Sequence, residues 1–259
     1  MKSEIIHLIK DKKEGLWNNY ESFNEIYNEV GAPFPPVQHL THIKENSGEK
    51  IIIYYPETNE ILGWIGIIPR SEEGFAELAG IETNINYRKK GIGTKLVSLA
   101  RDWLRQKNIT EFRFQTSPLF TANTLLYMNK FNTKYYWNGT FNIPPDNKVP
   151  WPVVDCVMNW TKPETPSDIP FDSEYEKHCL ISWNGLKPDI RISEDTFSKH
   201  FLTAELPFLS LPVVFGELQK GNFEITEKPH HLFQKLHDNG FGFKSFVRKA
   251  DRYFYIFSK

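Results

Sequence analysis

Apolar and polar positions change period several times along this chain, and each change marks an element. Lys50-Ile51-Ile52-Ile53-Tyr54-Tyr55 is a β-branched and aromatic run, Pro56 to Glu60 forms turns readily, and Ile61 to Ile68 is apolar again. The three together predict an antiparallel hairpin. Glu73 to Ile85 predicts a third strand. From Ile92 the period becomes helical: Ile92, Leu96, Leu99, Ala100, Trp103 and Leu104 share one face, while Lys95, Arg101, Asp102 and Arg105 hold the other. That helix packs one side on a sheet. Glu111 to Thr116 predicts the next strand and Asn123 to Asn129 a short helix. The helical crossover makes the strands at 77–85 and 111–116 parallel inside an otherwise antiparallel sheet. Upstream, Leu8, Ile9, Leu16, Trp17, Tyr20, Phe23, Ile26, Tyr27 and Val30 predict one or two helices over residues 4–30. Gly31-Ala32-Pro33-Phe34-Pro35-Pro36 ends them.

Tyr135 to Trp137 and Val153 to Trp160 supply the last strands of this half, with an irregular, proline-rich insert at 144–152 between them. Residues 163–170 are polar, proline-studded and aperiodic, as a semi-rigid linker needs to be. They divide the chain into a first domain, 1–162, and a smaller aromatic-rich α+β domain, 171–259. In the latter, 178–183, 189–193, 223–226, 241–247 and 253–257 read as strands, Thr196–Ala204 and Pro229–Asp238 as helices, and Lys249 to Arg252 as a hairpin turn.

A length of 259 residues suits two domains, and 40% apolar content is enough to bury real cores. A formal charge of −1 gives no global pull on nucleic acid or anionic lipid, so anion binding must come from local basic clusters. Cys156 and Cys179 have neither a second pair nor a Cys-x-x-Cys spacing, which fits buried thiols in a reducing compartment. The start of the chain carries no apolar secretion core, and no run of about 18 apolar residues exists, which predicts a cytoplasmic protein without a membrane span. His39 and His42 lie three apart with no third ligand nearby, and His230, His231 and His237 read as helix-face residues. No metal is expected.

Chemistry gathers at Arg88-Lys89-Lys90-Gly91-Ile92-Gly93-Thr94. Two glycines one residue apart permit a tight turn, and amide N–H groups converging at a helix start favour an anion. Three cations reinforce it. The stretch therefore reads as a phosphate cradle.

The form Arg-x-x-Gly-x-Gly, preceded by Phe75 to Thr83 and followed by a helix, a strand and Leu126-Tyr127, resembles the acyl-CoA signature of the GNAT N-acetyltransferase superfamily. The likeness covers about residues 1–160. It implies an α/β (α+β, mixed-sheet) acyl-CoA N-acyltransferase fold and an enzyme, acetyl-CoA as co-substrate, and direct attack by a primary amine. The cradle, residues 88–94, would grip the CoA pyrophosphate. Ile81 and Thr83, at the edge where the parallel strands diverge, would meet the pantetheine arm, with the Ile81 amide toward the thioester carbonyl. Glu77, eleven residues before Arg88, falls where some members carry a general base; Glu82 is the alternative, which strict alternation places on the opposite face. Tyr127 falls where many members place a general acid. The family's usual acidic-basic pair and Gly-Phe after that tyrosine are replaced here by Met128-Asn129-Lys130-Phe131-Asn132, and its upstream asparagine falls at Phe120; Asn123 is a substitute donor contact. These departures keep a second reading open, a non-catalytic acyl-CoA-binding sensor or interaction module. No nucleic-acid partner is implied.

Overall fold

The computed structural model describes residues 4–7, 42–43, 45–58, 60–142, 150–161, 171–193, 195–209 and 211–259. They divide into two compact units, Met1–Phe114 with Asn159–Lys162 and Gln115–Met158 with Pro163–Lys259. Residues 115–158 group with the C-terminal residues in this division. The expected linker at 163–170, the breaker at 31–36, His39 and most of the 4–30 helices lie outside the described residues.

The first unit is a sheet in the order β1 (Glu4–His7), β2 (Glu49–Tyr55), β3 (Glu60–Arg70), β4 (Phe75–Thr83) and β5 (Glu111–Thr116). Residues 4–7, expected to be helical, are instead a strand: Glu4 faces Tyr54 and His7 faces Ile51. Ile5 and Ile6 are β-branched and complete the edge of β2. The hairpin is β2 against β3, and β3 is antiparallel to β4. Helix α1 (Ile92–Arg105) then crosses over, and β4 and β5 run parallel with Ala76 opposite Phe112 and Glu77 opposite Arg113. Leu96, Val97, Ala100, Trp103 and Leu104 form the buried stripe of α1. Gly63 marks the sheet face it covers, since a Cβ there would lie 2.9 Å from Ile92. Trp160 returns to this unit edge-on to Phe112, with 5.2 Å between ring centroids.

The β3–β4 ladder carries one extra residue. Ile67 faces Leu78 but Gly66 faces Gly80, so Ala79 bulges out. Gly80 sits at φ 143°, a conformation that side chains resist. The bulge corrects the expected alternation: Glu77 pairs with Ile68 and Glu82 with Trp64, and residues 68 and 64 share one face of β3. Both glutamates therefore lie on the same face, the one opposite α1.

In the second unit α2 (Thr121–Thr124) runs into a π-helical turn, Leu125–Lys130, and β6 (Lys134–Asn142) pairs antiparallel with β7 (Pro150–Asn159). Residues 150–152, expected in the irregular insert, are already strand. Helix α3 (Glu174–Lys177) precedes the hairpin β8 (Ile181–Asn184) and β9 (Lys187–Ile190). A second sheet has the order β10-β12-β11, with β10 at Phe201–Leu206, β11 at Gly242–Lys249 and β12 at Arg252–Ser258. The expected helix over 196–204 is only a 3-10 turn at Thr196–Ser198 followed by β10, because Leu202 to Leu206 pair residue for residue with β12. The expected strand at 223–226 is the first turn of α5 (Glu224–Asp238), whose Ile225, Leu232, Phe233 and Leu236 are buried at helical spacing. Pro229, read as a helix start, lies inside it. Helix α4 (Leu211–Gln219) was not expected at all. Phe233, Phe243, Phe246, Tyr255 and Phe257 pack at centroid separations of 4.6 to 6.1 Å, and they are the aromatic core of this unit.

Candidate active site

The cradle is built at the junction of β4 and α1. Asn84 shapes the approach: its side chain accepts from the Asn86 amide at 3.0 Å and donates to the Ile61 carbonyl at 3.3 Å, tying the turn to β3. The 3-10 turn Ile85–Tyr87 follows, and the Tyr87 hydroxyl donates to the Glu60 carboxylate at 3.0 Å. Lys89 at φ 61° and Gly91 at φ 81° then reverse the chain into α1. A Cβ on Gly91 would meet nothing within 4 Å, so its glycine serves backbone conformation and not space. Among the described residues, no protein group accepts from the amides of Gly91, Ile92 and Gly93; the first bond of the helix is Lys95 N–H to the Gly91 carbonyl at 2.9 Å. Those amides stand at the positive end of a fourteen-residue helix. Arg88 folds back, its Nε donating to the Thr83 carbonyl at 3.4 Å, and Lys90 lies 4.7 Å from the Tyr87 ring centre. Lys89 and Lys90 are exposed. The turn is cationic, and its amides without an acceptor among the described residues are donors that an anion could use.

The strand that leads into it outruns its parallel neighbour. The parallel register of β4 and β5 covers Ala76 and Glu77, and β4 then runs on from Leu78 to Thr83. Ile81 and Thr83 are half-buried along that stretch. A polar chain laid there can use backbone groups that the β5 ladder leaves unused.

The two glutamates on this strand differ sharply. Glu77 is wet and already engaged: its side chain is 36% exposed, Arg70 donates to it at 3.1 Å, and His42 Nε2 lies 3.4 Å away. Asn46 holds both partners, accepting from Arg70 and donating to the His42 carbonyl. Glu82, six residues before Arg88, is desolvated by burial, which raises its carboxyl from an ordinary 4.5 to about 7, against the pull of Arg88 and Lys50. Lys50 comes from β2, is fully buried, and has its Nζ 3.7 Å over the centre of the Trp64 ring. Burial holds its ammonium well below the usual lysine range, with Glu82 acting in the other direction. Sequence reasoning passed over Lys50; its signal was a lysine followed directly by three isoleucines.

Asn123 and Tyr127 belong to the second unit. Asn123 is half-buried on α2, and Tyr127 is 3% exposed on the π-helical turn, where its carbonyl accepts from Thr133 at 3.0 Å. Among the described residues no group of three His, Cys, Asp or Glu side chains could hold a metal ion. No helix among them is long and apolar enough to cross a membrane.

Comparison with protein families identifies the segment in which these residues lie. Residues 16–131 match the Acetyltransferase (GNAT) family. That segment carries a GNAT acetyltransferase domain. The matched segment contains β2 to β5, the cradle, α1 and the turn that bears Tyr127, so the acetyltransferase signature runs from the first unit into the start of the second. The remaining residues, 132–259, lie outside it. Comparison with curated proteins gives no match. Among solved structures, a GNAT-family acetyltransferase from Staphylococcus aureus is 21% identical, with a TM-score of 0.45 over 61% of this chain and 99% of that one. The ribosomal-protein-S18-alanine N-acetyltransferase of Escherichia coli is 13% identical, with a TM-score of 0.48 over 66% of this chain and 100% of that one. Nourseothricin acetyltransferase is 13% identical with a TM-score of 0.36, and the match covers 43% of this chain and 65%, just under two thirds, of that one. Likeness at this level adds nothing about acceptor or mechanism to the GNAT match.

Proposed function

We propose that this protein transfers the acetyl group of acetyl-CoA to a primary amine, with Glu82 as the proton acceptor. The observation that carries the reading is the succession along β4: a stretch that outruns β5 after Glu77, a carboxyl that titrates near neutrality at Glu82, and a cationic turn whose Gly91 to Gly93 amides have no acceptor among the described residues. The cradle takes the pyrophosphate, with Arg88, Lys89 and Lys90 adding charge. Ile81 and Thr83 offer backbone groups to the pantetheine arm. An amine acceptor arrives protonated at neutral pH and must lose that proton before it can attack. The Glu82 carboxylate takes it; the nitrogen forms a bond to the thioester carbonyl carbon, the carbon–sulfur bond breaks, and the thiolate leaves to take up a proton from solvent. No covalent enzyme intermediate is needed. Glu77, which the resemblance suggests as the base, is the weaker candidate because its carboxylate is open to water and held by Arg70 and His42.

The test is thiol release from acetyl-CoA across a panel of polyamines, amino sugars and peptide amines, alongside thermal stabilisation by CoA. Turnover with at least one amine and a rise in Tm with CoA are expected, and Gly91→Glu should remove both by placing an anion in the cradle. Binding of CoA with no turnover on any amine would leave an acyl-CoA sensor. A folded Gly91→Glu protein with unchanged CoA affinity would sink the cradle.

A further inference from the structure

We propose that Lys50 is a positioning residue of this site, its buried ammonium seated on the Trp64 ring and holding the Glu82 side chain as a carboxylate. The inference rests on the acyl-transfer reading above for its consequence, though not for its geometry. Two cross-strand rows define that geometry. Ile52, Trp64 and Glu82 are in register across β2, β3 and β4, and Lys50, Gly66 and Gly80 form the adjacent row on the same face. The second row has no side chain beyond Lys50. A Cβ on Gly66 would lie 2.4 Å from Ile43 and 3.3 Å from the Trp64 ring. Lys50 therefore turns diagonally into the first row, where Trp64 receives it at 3.7 Å. Trp64 is fully buried and is the strand neighbour of Glu82. The bulge at Ala79 is what brings Glu82 onto this face. Without it, Glu82 would point toward α1.

Burying an ammonium is costly, and a methionine would fill the same space without that cost. What the lysine adds is charge beside a carboxyl that must be ionised to accept a proton. Among the described residues, the other charged groups on this face include Arg70 from β3, Glu77 from β4, Arg113 and Glu111, which pair with each other on β5, and His42, which meets Glu77, while Arg88 approaches from the turn. Arg70 and Glu77 are paired with each other, which leaves Lys50 and Arg88 as the cations that act on Glu82.

The experiment compares the wild-type protein with Lys50→Met and Lys50→Arg. Lys50→Met should fold, keep its KM for acetyl-CoA, and move the acidic limb of kcat/KM upward by about one pH unit, a loss of roughly tenfold at pH 6 that closes by pH 9. Lys50→Arg should restore the limb. A merely structural lysine would change stability and leave the limb where it was. Two measurements do not depend on turnover. The carboxyl carbon of Glu82, assigned with Glu82→Gln, should titrate higher in Lys50→Met. The ε-carbon of Lys50 in the wild-type protein should report an ammonium at pH 7. A neutral Lys50 at pH 7, or a Glu82 titration indifferent to Lys50→Met, overturns the proposal. Absence of turnover with an intact Lys50–Glu82 titration would instead fault the acyl-transfer reading.

Discussion

The two units bury different things. On the sheet face opposite α1, the first unit removes Lys50 from water and half-buries Glu82. In the second unit the charged groups stay nearer the surface, where Arg252 bridges Glu205 and Glu176 and holds both ion pairs at partly exposed positions, while the interior is filled with Phe233, Phe246, Tyr255 and Phe257. Aromatic burial stabilises at little electrostatic cost, and buried ions do the reverse. A fold under pressure only for stability would give both interiors the second composition. On the acyl-transfer reading, the first unit's departure from it is where chemistry takes precedence over stability.

The largest effect should come from the group that sets the first unit apart. Glu82→Gln is expected to lower kcat by roughly 10²- to 10⁴-fold, as removal of a general base does, and to abolish the acidic limb of the pH profile near 7. Glu77→Gln should cost less than about threefold, because an ion pair this exposed contributes little. A reversal of that order would return the proton acceptor to Glu77. The second unit answers to truncation. Phe233 is 2% exposed, and Phe233→Ala should cost about 3 to 5 kcal/mol in denaturant unfolding. That loss should be the same at pH 6 and pH 8.

Stability of the first unit, by contrast, should depend on pH through Glu82. Its folded value, about 7, lies above the ordinary 4.5, so the folded state binds the proton more tightly and the favourable contribution is present below about 4.5. It is lost as pH rises through 7. Glu82→Gln should therefore be more stabilising at pH 8 than at pH 5, by about 3 kcal/mol at most and less to the extent that Lys50 is left without its carboxylate. Equal effects at both pH values would mean that Glu82 is ionised at its ordinary pKa, and the contrast between the units would weaken.

Much of the first unit could be read from the chain because its determinants are local. The periodicity of Leu96, Ala100, Trp103 and Leu104 defines α1, and the Gly91-x-Gly93 spacing announces a positive φ and free amides. The crossover rule then makes β4 and β5 parallel. What could not be read depends on partners distant in sequence. The Ala79 bulge exists only relative to β3, and it moves Glu82 to the face of Glu77; alternation along β4 alone gives the opposite answer. The burial of Lys50 likewise depends on Gly66 and Trp64 in the next strand. In the second unit, Leu202 to Leu206 form a strand only because β12 lies beside them, and the β-prone Ile225 and Thr226 enter a helix because Ile225 shares a buried stripe with Leu232, Phe233 and Leu236. Local preference yielded to packing at each of these places.

The smallest effect probes how the second unit treats the polar atoms it does bury. Tyr135 OH donates to Thr124 Oγ1 at 3.5 Å, the Thr124 and Tyr255 hydroxyls lie 2.7 Å apart, and Tyr255 OH donates to the Pro118 carbonyl at 2.7 Å. With Tyr255 committed to Pro118, Thr124 is the donor to Tyr255, and the chain runs in one direction with each hydroxyl giving once. Burial raises both tyrosines well above their usual range, so the chain stays neutral at any ordinary pH. Thr124→Val keeps the shape of the side chain but strands the Tyr135 hydroxyl without its acceptor. The expected cost is about 1 to 2 kcal/mol, and it should be pH-independent between 5 and 9. Tyr135→Phe in the same background should recover part of that loss, because it removes the orphaned donor instead of leaving it buried. If the double variant were no more stable than Thr124→Val alone, the hydroxyl chain would not be what holds residues 118–135 to β12, and the second unit would owe that attachment to its aromatic packing alone.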